Sequence, residues 1–169
     1  MTPTKKLVIT ALFCTIGIVS SHFLVIPLGI VRAFPVQHMV NVLLAVMVGT
    51  KYAVGGAFVV AVLRNLLGIG TLFAFPGSLV GAWLAGLIYQ KTNRLLLAAL
   101  GEAFGTGIVG SLLSYPIALF ILGQDVTLFF VLPSFFFSSL VGALFSFILL
   151  KRLSVHQSWW KVSQKQRQS

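Results

Sequence analysis

The chain has 169 residues, of which 58% are apolar and 8% charged, whereas a soluble domain carries about 25% charged residues. So little charge cannot cover a water-facing surface, and this excludes a soluble globular protein. The net charge of +10 sits at the ends of apolar runs instead of along a stripe, which excludes a nucleic-acid footprint.

A bilayer core of about 30 Å takes about 20 helical residues per crossing, so this length accommodates about six crossings. Six apolar segments run over residues 5–26, 36–49, 52–68, 76–90, 95–122 and 129–150. The breaks between them carry Pro27-Leu28-Gly29, Gly49-Thr50-Lys51, Gly68-Ile69-Gly70, Lys91-Thr92-Asn93-Arg94 and Gly123-Gln124-Asp125, all turn-forming or charged. The first run is longer than the apolar region of a cleavable signal, so it is read as a retained helix. Its single cysteine, Cys14, has no partner for an internal disulfide and is read as a small packing residue.

Charge fixes the number of crossings. With six, and the N-terminus inside, Lys5, Lys6, Lys51, Lys91, Arg94, Lys151, Arg152, Lys161, Lys165 and Arg167 are all cytoplasmic, and Arg32 and Asp125 are outside. Merging the second and third segments would put Lys91, Arg94 and the tail outside, against the excess of basic residues in cytoplasmic loops. The fold is therefore read as an all-α membrane protein, six transmembrane helices in a compact bundle with both termini cytoplasmic. Residues 1–152 form the transmembrane domain and residues 153–169 a basic cytoplasmic tail. Trp159 and Trp160 either anchor that tail at the headgroups or belong to a disordered segment.

Small residues recur every fourth position: Gly77, Gly81, Ala85; Ser78, Ala82, Gly86; Ala53, Ala57, Ala61; Ala103, Gly107, Ser111; Ser138, Gly142, Ser146. In lipid such stripes let helix backbones approach. Pro76 and Ser78 suit the first turn of the fourth helix, after a mouth loop containing Phe73 and Phe75.

Within the apolar segments Arg64 and Glu102 stand out. A charge at that depth costs roughly 2.5–3.5 kcal/mol on insertion scales and faces a partner or a cavity. At 1.5 Å per residue, Arg64 lies about 20 Å from the inner end of its helix and Glu102 about 12 Å. Two readings stand: a structural ion pair that needs a long arginine reach, or separate roles at a binding site. Gln37, His38 and Asn41 share one face of the second helix, as a ligand-facing patch or as interhelical hydrogen bonds. Asn65, Ser78 and Tyr115 lie at outer or middle depths and can complete a polar shell.

GTGIVG, residues 105–110, matches a dinucleotide fingerprint in letters only, since its flanks are helical and apolar. No phosphate loop, paired carboxylates or catalytic triad occurs, and His22, His38 and His156 are too scattered for a metal site. No catalytic residue, metal or cofactor is therefore expected in the chain itself.

FPVQHMVNVLLAVMVG, GTLFAFPGSLVGAWLAG and GEAFGTGIVGSLLSYP, set in a small basic six-helix protein, resemble the S components of energy-coupling factor vitamin transporters. Within these the resemblance is to the ThiW type, assigned to the thiazole precursor of thiamine. It covers nearly the whole chain except the tail. It implies a bacterial plasma-membrane protein that captures hydroxyethylthiazole from outside. It also implies partnership with a transmembrane coupling protein and two cytoplasmic ATPases, which use the ATP. The site it implies lies toward the outer face, and with the residues above gives the expected set His38, Asn41, Arg64, Asn65, Phe73, Phe75, Ser78, Glu102 and Tyr115. The family's Ala-x-x-x-Ala docking face on the first helix has its nearest match in Ala11 and Thr15, where threonine replaces the second alanine. A different specificity, thiamine or a pyrimidine, is the neighbouring alternative, and a small membrane channel is another. The channel is disfavoured because no polar row runs the full depth, and an intramembrane enzyme because the acids are missing.

Overall fold

The computed structural model describes residues 1–28, 31–121, 123 and 128–156. They form six helical rods: α1 (Pro3–Phe23), α2 (Pro35–Met47), α3 (Thr50–Leu66), α4 (Ala74–Thr92), α5 (Leu95–Ile121) and α6 (Leu128–His156). Gln124, Asp125, Trp159 and Trp160 lie outside the described residues.

Local chemistry sets the boundaries. Pro3 and Pro35 open α1 and α2, where a missing N–H costs nothing. Gly49, at φ 108°, turns the chain between α2 and α3 in a conformation that a Cβ would oppose. The break expected at Gly49–Lys51 is therefore present. Asn93 takes the left-handed position that ends α4.

The all-α class expected from the sequence holds, with one small addition between the first two helices. After α1 the chain forms a two-stranded antiparallel hairpin, β1 (Ile26–Leu28) and β2 (Val31–Ala33), with Pro27 opposite Arg32. Proline cannot continue a helix, and a two-stranded ribbon tolerates it because both strands are edges.

Among the described residues, three helices are long and apolar enough to cross a membrane: Pro3–Phe23, Leu95–Ile121 and Val131–Leu153. α2 is a shorter apolar helix of 13 residues, about 20 Å, and 10 of those residues are buried. It runs through the middle of the bundle. One face packs Val42, Leu43 and Val46 against Tyr89, Ala98, Ala143 and Leu150. The other packs Val40, Leu44 and Val48 against Ala53, Ala57, Ala82 and Ala85. The outer surface carries Leu7, Leu12, Phe58, Trp83, Phe104 and Phe145, an apolar belt that belongs in lipid.

The two ends of the bundle differ. Lys6 lies over the Tyr52 ring at 5.4 Å, joining the starts of α1 and α3. Leu150 packs with Tyr89 and Ala98, joining the end of α6 to the α4–α5 turn. Lys5, Lys6, Lys51, Lys91, Arg94, Lys151 and Arg152 thus gather at one end. The hairpin and the α3–α4 loop lie at the other.

Candidate functional site

The small-residue stripe of α4 positions the site. It faces a part of α5 that is wound as a π-helix, Gly105–Gly110, a local widening frequent at functional sites. A Cβ on Gly110 would collide with the Gly77 backbone, and one on Gly105 would lie 3.0 Å from Gly81 Cα. Glycine meets glycine, and α4 and α5 touch through their backbones.

This contact places Thr106 and Glu102 under α4 and beside α2. Glu102 is fully buried. Its Oε1 receives His38 Nδ1 at 2.8 Å, Thr106 Oγ1 at 2.9 Å and Asn41 Nδ2 at 3.3 Å. The Thr106 proton is shared between this oxygen and Gly77 O at 3.0 Å. Asn41 also donates to Ser78 O at 3.4 Å. An acceptor-only carboxylate suits so many converging donors, and in the neutral imidazole an Nδ1–H held by Glu102 leaves Nε2 as an acceptor.

Arg64 is bound separately. Nη1 donates to Gln37 Oε1, Nη2 donates to Ile69 O at 3.4 Å, and the guanidinium lies 3.7 Å from the centre of the Phe34 ring, within cation–π range. Ile69 and Gly70 donate their N–H groups back to Arg64 O at 3.0 and 2.9 Å, which folds the α3–α4 loop over the end of α3. A Cβ at Gly70 would sit 2.8 Å from Asn65 N, so only glycine fits this fold-back.

Between these groups lies a cavity of about 460 Å³, within the size range of small-molecule sites. Phe34, Phe73 and Phe135 give it aromatic walls, and Gln37, His38, Arg64, Ser78, Thr106 and Ser138 its polar lining. It lies at the end away from the clustered basic residues. Three buried polar atoms nearby have no hydrogen-bond partner among the described residues: Arg64 Nε, Gln37 Nε2 and Glu102 Oε2.

A model of the thiamine-precursor transporter family, ThiW, matches residues 7–156. The chain belongs to the ThiW family. Neither the curated proteins nor the solved structures searched give a match. ThiW membership makes this helical bundle a transporter protein, consistent with a non-enzymatic role and with a cavity for a small molecule.

Of the nine residues expected at the site, His38, Arg64, Phe73 and Ser78 line the cavity. Asn41 and Glu102 lie beneath it in the hydrogen-bond network. Asn65, Phe75 and Tyr115 are outside the lining. Asn65 donates to Ala61 O and Thr71 O, and Phe75 packs edge-on to Phe58. The structural Arg64–Glu102 pair is not formed: Glu102 pairs with His38, and Arg64 reaches sideways to Gln37 and Ile69. Each charge has its own partner on α2, Gln37 for Arg64 and His38 for Glu102. The α2 patch combines both readings, since Gln37 and His38 face the cavity while Asn41 bonds to other helices.

Phe34, Gln37, Thr106, Phe135 and Ser138 also line the cavity and were not in the expected set. Gln37 carried a signal, its place beside His38 on a polar face. Thr106 stood in plain view inside GTGIVG, where it is the one polar side chain.

Proposed function

We propose that this ThiW chain is the substrate-binding S component of an energy-coupling factor importer in a bacterial plasma membrane, and that it captures hydroxyethylthiazole from outside. The observation that carries this reading is the cavity itself. It is lined by aromatic rings and mostly neutral polar groups, and lies opposite the basic end. With basic residues cytoplasmic, the bundle crosses six times, both termini are inside, and the cavity faces outward. A ligand of about nine heavy atoms binds tightly only when nearly every atom is contacted. Rings stack on Phe34, Phe73 or Phe135, and the hydroxyl has His38 Nε2 as an acceptor.

Transport energy comes from a transmembrane coupling protein and two cytoplasmic ATPases. Ala11 and Thr15 are exposed on α1, and the Thr15 hydroxyl is spent on Ala11 O at 3.0 Å. That face therefore presents small, self-satisfied side chains suited to close helix contact. Ala11→Trp is expected to reduce co-purification with the coupling protein and leave ligand binding intact.

Uptake of labelled hydroxyethylthiazole tests the proposal in cells expressing the chain with or without its energy module. Accumulation that requires functional ATPases supports it. Equal flux without them indicates a channel, and no accumulation of this compound means a different ligand.

A further inference from the structure

Resting on the reading of the cavity as a thiazole site, the arrangement of Arg64 and Gln37 allows a statement about which atom of the ligand is recognised. Both side chains line the cavity and are almost fully buried, 1% and 2% exposed. Each keeps one donor nitrogen without a partner among the described residues, Nε of Arg64 and Nε2 of Gln37. Buried donors are nearly always satisfied in a working protein, so these two are groups in waiting. The acceptor of Gln37 is already taken, because Oε1 accepts from Arg64 Nη1. Arginine has no acceptor at all. This corner of the cavity therefore offers hydrogens and asks for a lone pair.

The corner is also held rigid. The guanidinium plane rests on Phe34, and Nη2 is tied to Ile69 O. The guanidinium plane is fixed before the ligand arrives, and the binding step does not have to order it; Nε and Nε2 themselves are covered and are bared as the ligand seats.

We propose that Arg64 and Gln37 form a donor corner that recognises the unsubstituted ring nitrogen of a neutral thiazole and excludes ring-alkylated thiazolium cations. An aromatic ring nitrogen is a pure acceptor and meets two donors without leaving a proton unplaced. Alkylation removes the lone pair and puts an alkyl group where the two donors require an acceptor. The hydroxyl, a donor as well as an acceptor, is left for the His38 side of the cavity. Gln37 and His38 are consecutive on α2 and so point about 100° apart, which serves two different ends of one small ligand.

Three compounds test this by calorimetric titration of the purified full-length chain. They are hydroxyethylthiazole, its thiophene analogue with carbon in place of the ring nitrogen, and its N-methylated thiazolium. The thiophene analogue is expected to bind about tenfold more weakly than the thiazole, and the thiazolium more weakly still. Gln37→Leu is expected to shrink the thiazole-to-thiophene ratio, with the melting temperature followed as a check on folding. If Gln37→Leu does not fold, the three-ligand series on the unaltered chain decides alone. Equal affinity for thiazole and thiophene, or tighter binding of the thiazolium, would overturn the donor corner while leaving the thiazole reading intact. Failure of the chain to bind hydroxyethylthiazole at all would overturn the thiazole reading and the corner with it.

Discussion

The two ends of this bundle are built by different rules. At the basic end, α2 meets its neighbours through Val, Leu and Ala, with Tyr89 and Leu150 filling the space between them. At the other end, the same helices bury Gln37, His38, Asn41, Arg64, Ser78, Glu102 and Thr106. Apolar side chains satisfy themselves by contact, and among the described residues the basic end leaves one buried side-chain polar atom without a hydrogen-bond partner, Thr50 Oγ1. The polar end leaves three, Gln37 Nε2, Arg64 Nε and Glu102 Oε2, at or beside the cavity. The difference teaches that one end of the bundle is held by apolar contact and the other by polar side chains gathered at a cavity.

The largest effect is expected where the two rules meet, at the α4–α5 contact. A Cβ on Gly81 would strike Thr106 Oγ1 and come within 3.0 Å of Glu102 Oε1. Gly81→Ala should weaken ligand binding about a hundredfold, about 2.8 kcal/mol. Gly55 on α3 has nothing among the described residues within 4 Å of the same added atom, so Gly55→Ala should leave binding and melting temperature nearly unchanged. Parallel titrations and melts of the two variants check this, and equal behaviour would erase the distinction between the stripe and an open glycine.

Next in size are the two charges. Removing one member of a buried ion pair is the costly state, and removing both relieves it. Because Arg64 and Glu102 have different partners, Arg64→Leu should not rescue Glu102→Gln. Melting temperatures of both single variants and the double form the cycle. A double variant more stable than the worse single would show that the two ends of this network act as a pair.

Within the polar end, position should grade the effect. His38→Ala removes a cavity wall, and Asn41→Ala loosens Glu102 beneath it, so each should cost about tenfold in affinity, about 1.4 kcal/mol. Asn65→Ala, Phe75→Ala and Tyr115→Phe alter residues outside the lining and should stay within about threefold. Fluorescence or calorimetric titration separates these groups, and a loss at Phe75 equal to that at His38 would redraw the site.

The helical breaks were legible because Gly49 and the Lys-Thr-Asn-Arg run are strong local signals, and the small-residue stripes because their spacing has one mechanical use. The hairpin at Ile26–Ala33 was not, since three-residue strands in an apolar stretch leave no period to read. Depth was read better than direction. Asn65 follows Arg64 by one position and Phe75 follows Phe73 by two, so each turns away from the wall its neighbour forms. Thr106 was hidden by the π-helical turn, which adds a residue to the coil and shifts the face that GTGIVG presents. Phe34 and Phe135 were hidden among many phenylalanines, 15 in the chain, that serve equally as lipid-facing side chains.

The central claim is that the polar end holds a small neutral thiazole in this cavity. Titration of hydroxyethylthiazole and thiamine into the purified chain, and into Ala74→Trp, tests it most directly. Ala74 lines the cavity, and tryptophan there would fill it. The account predicts saturable one-to-one binding of the thiazole, tighter than thiamine, and a loss of about tenfold or more in the folded Ala74→Trp variant. Tighter binding of thiamine, or undiminished thiazole binding with the cavity filled, would contradict it.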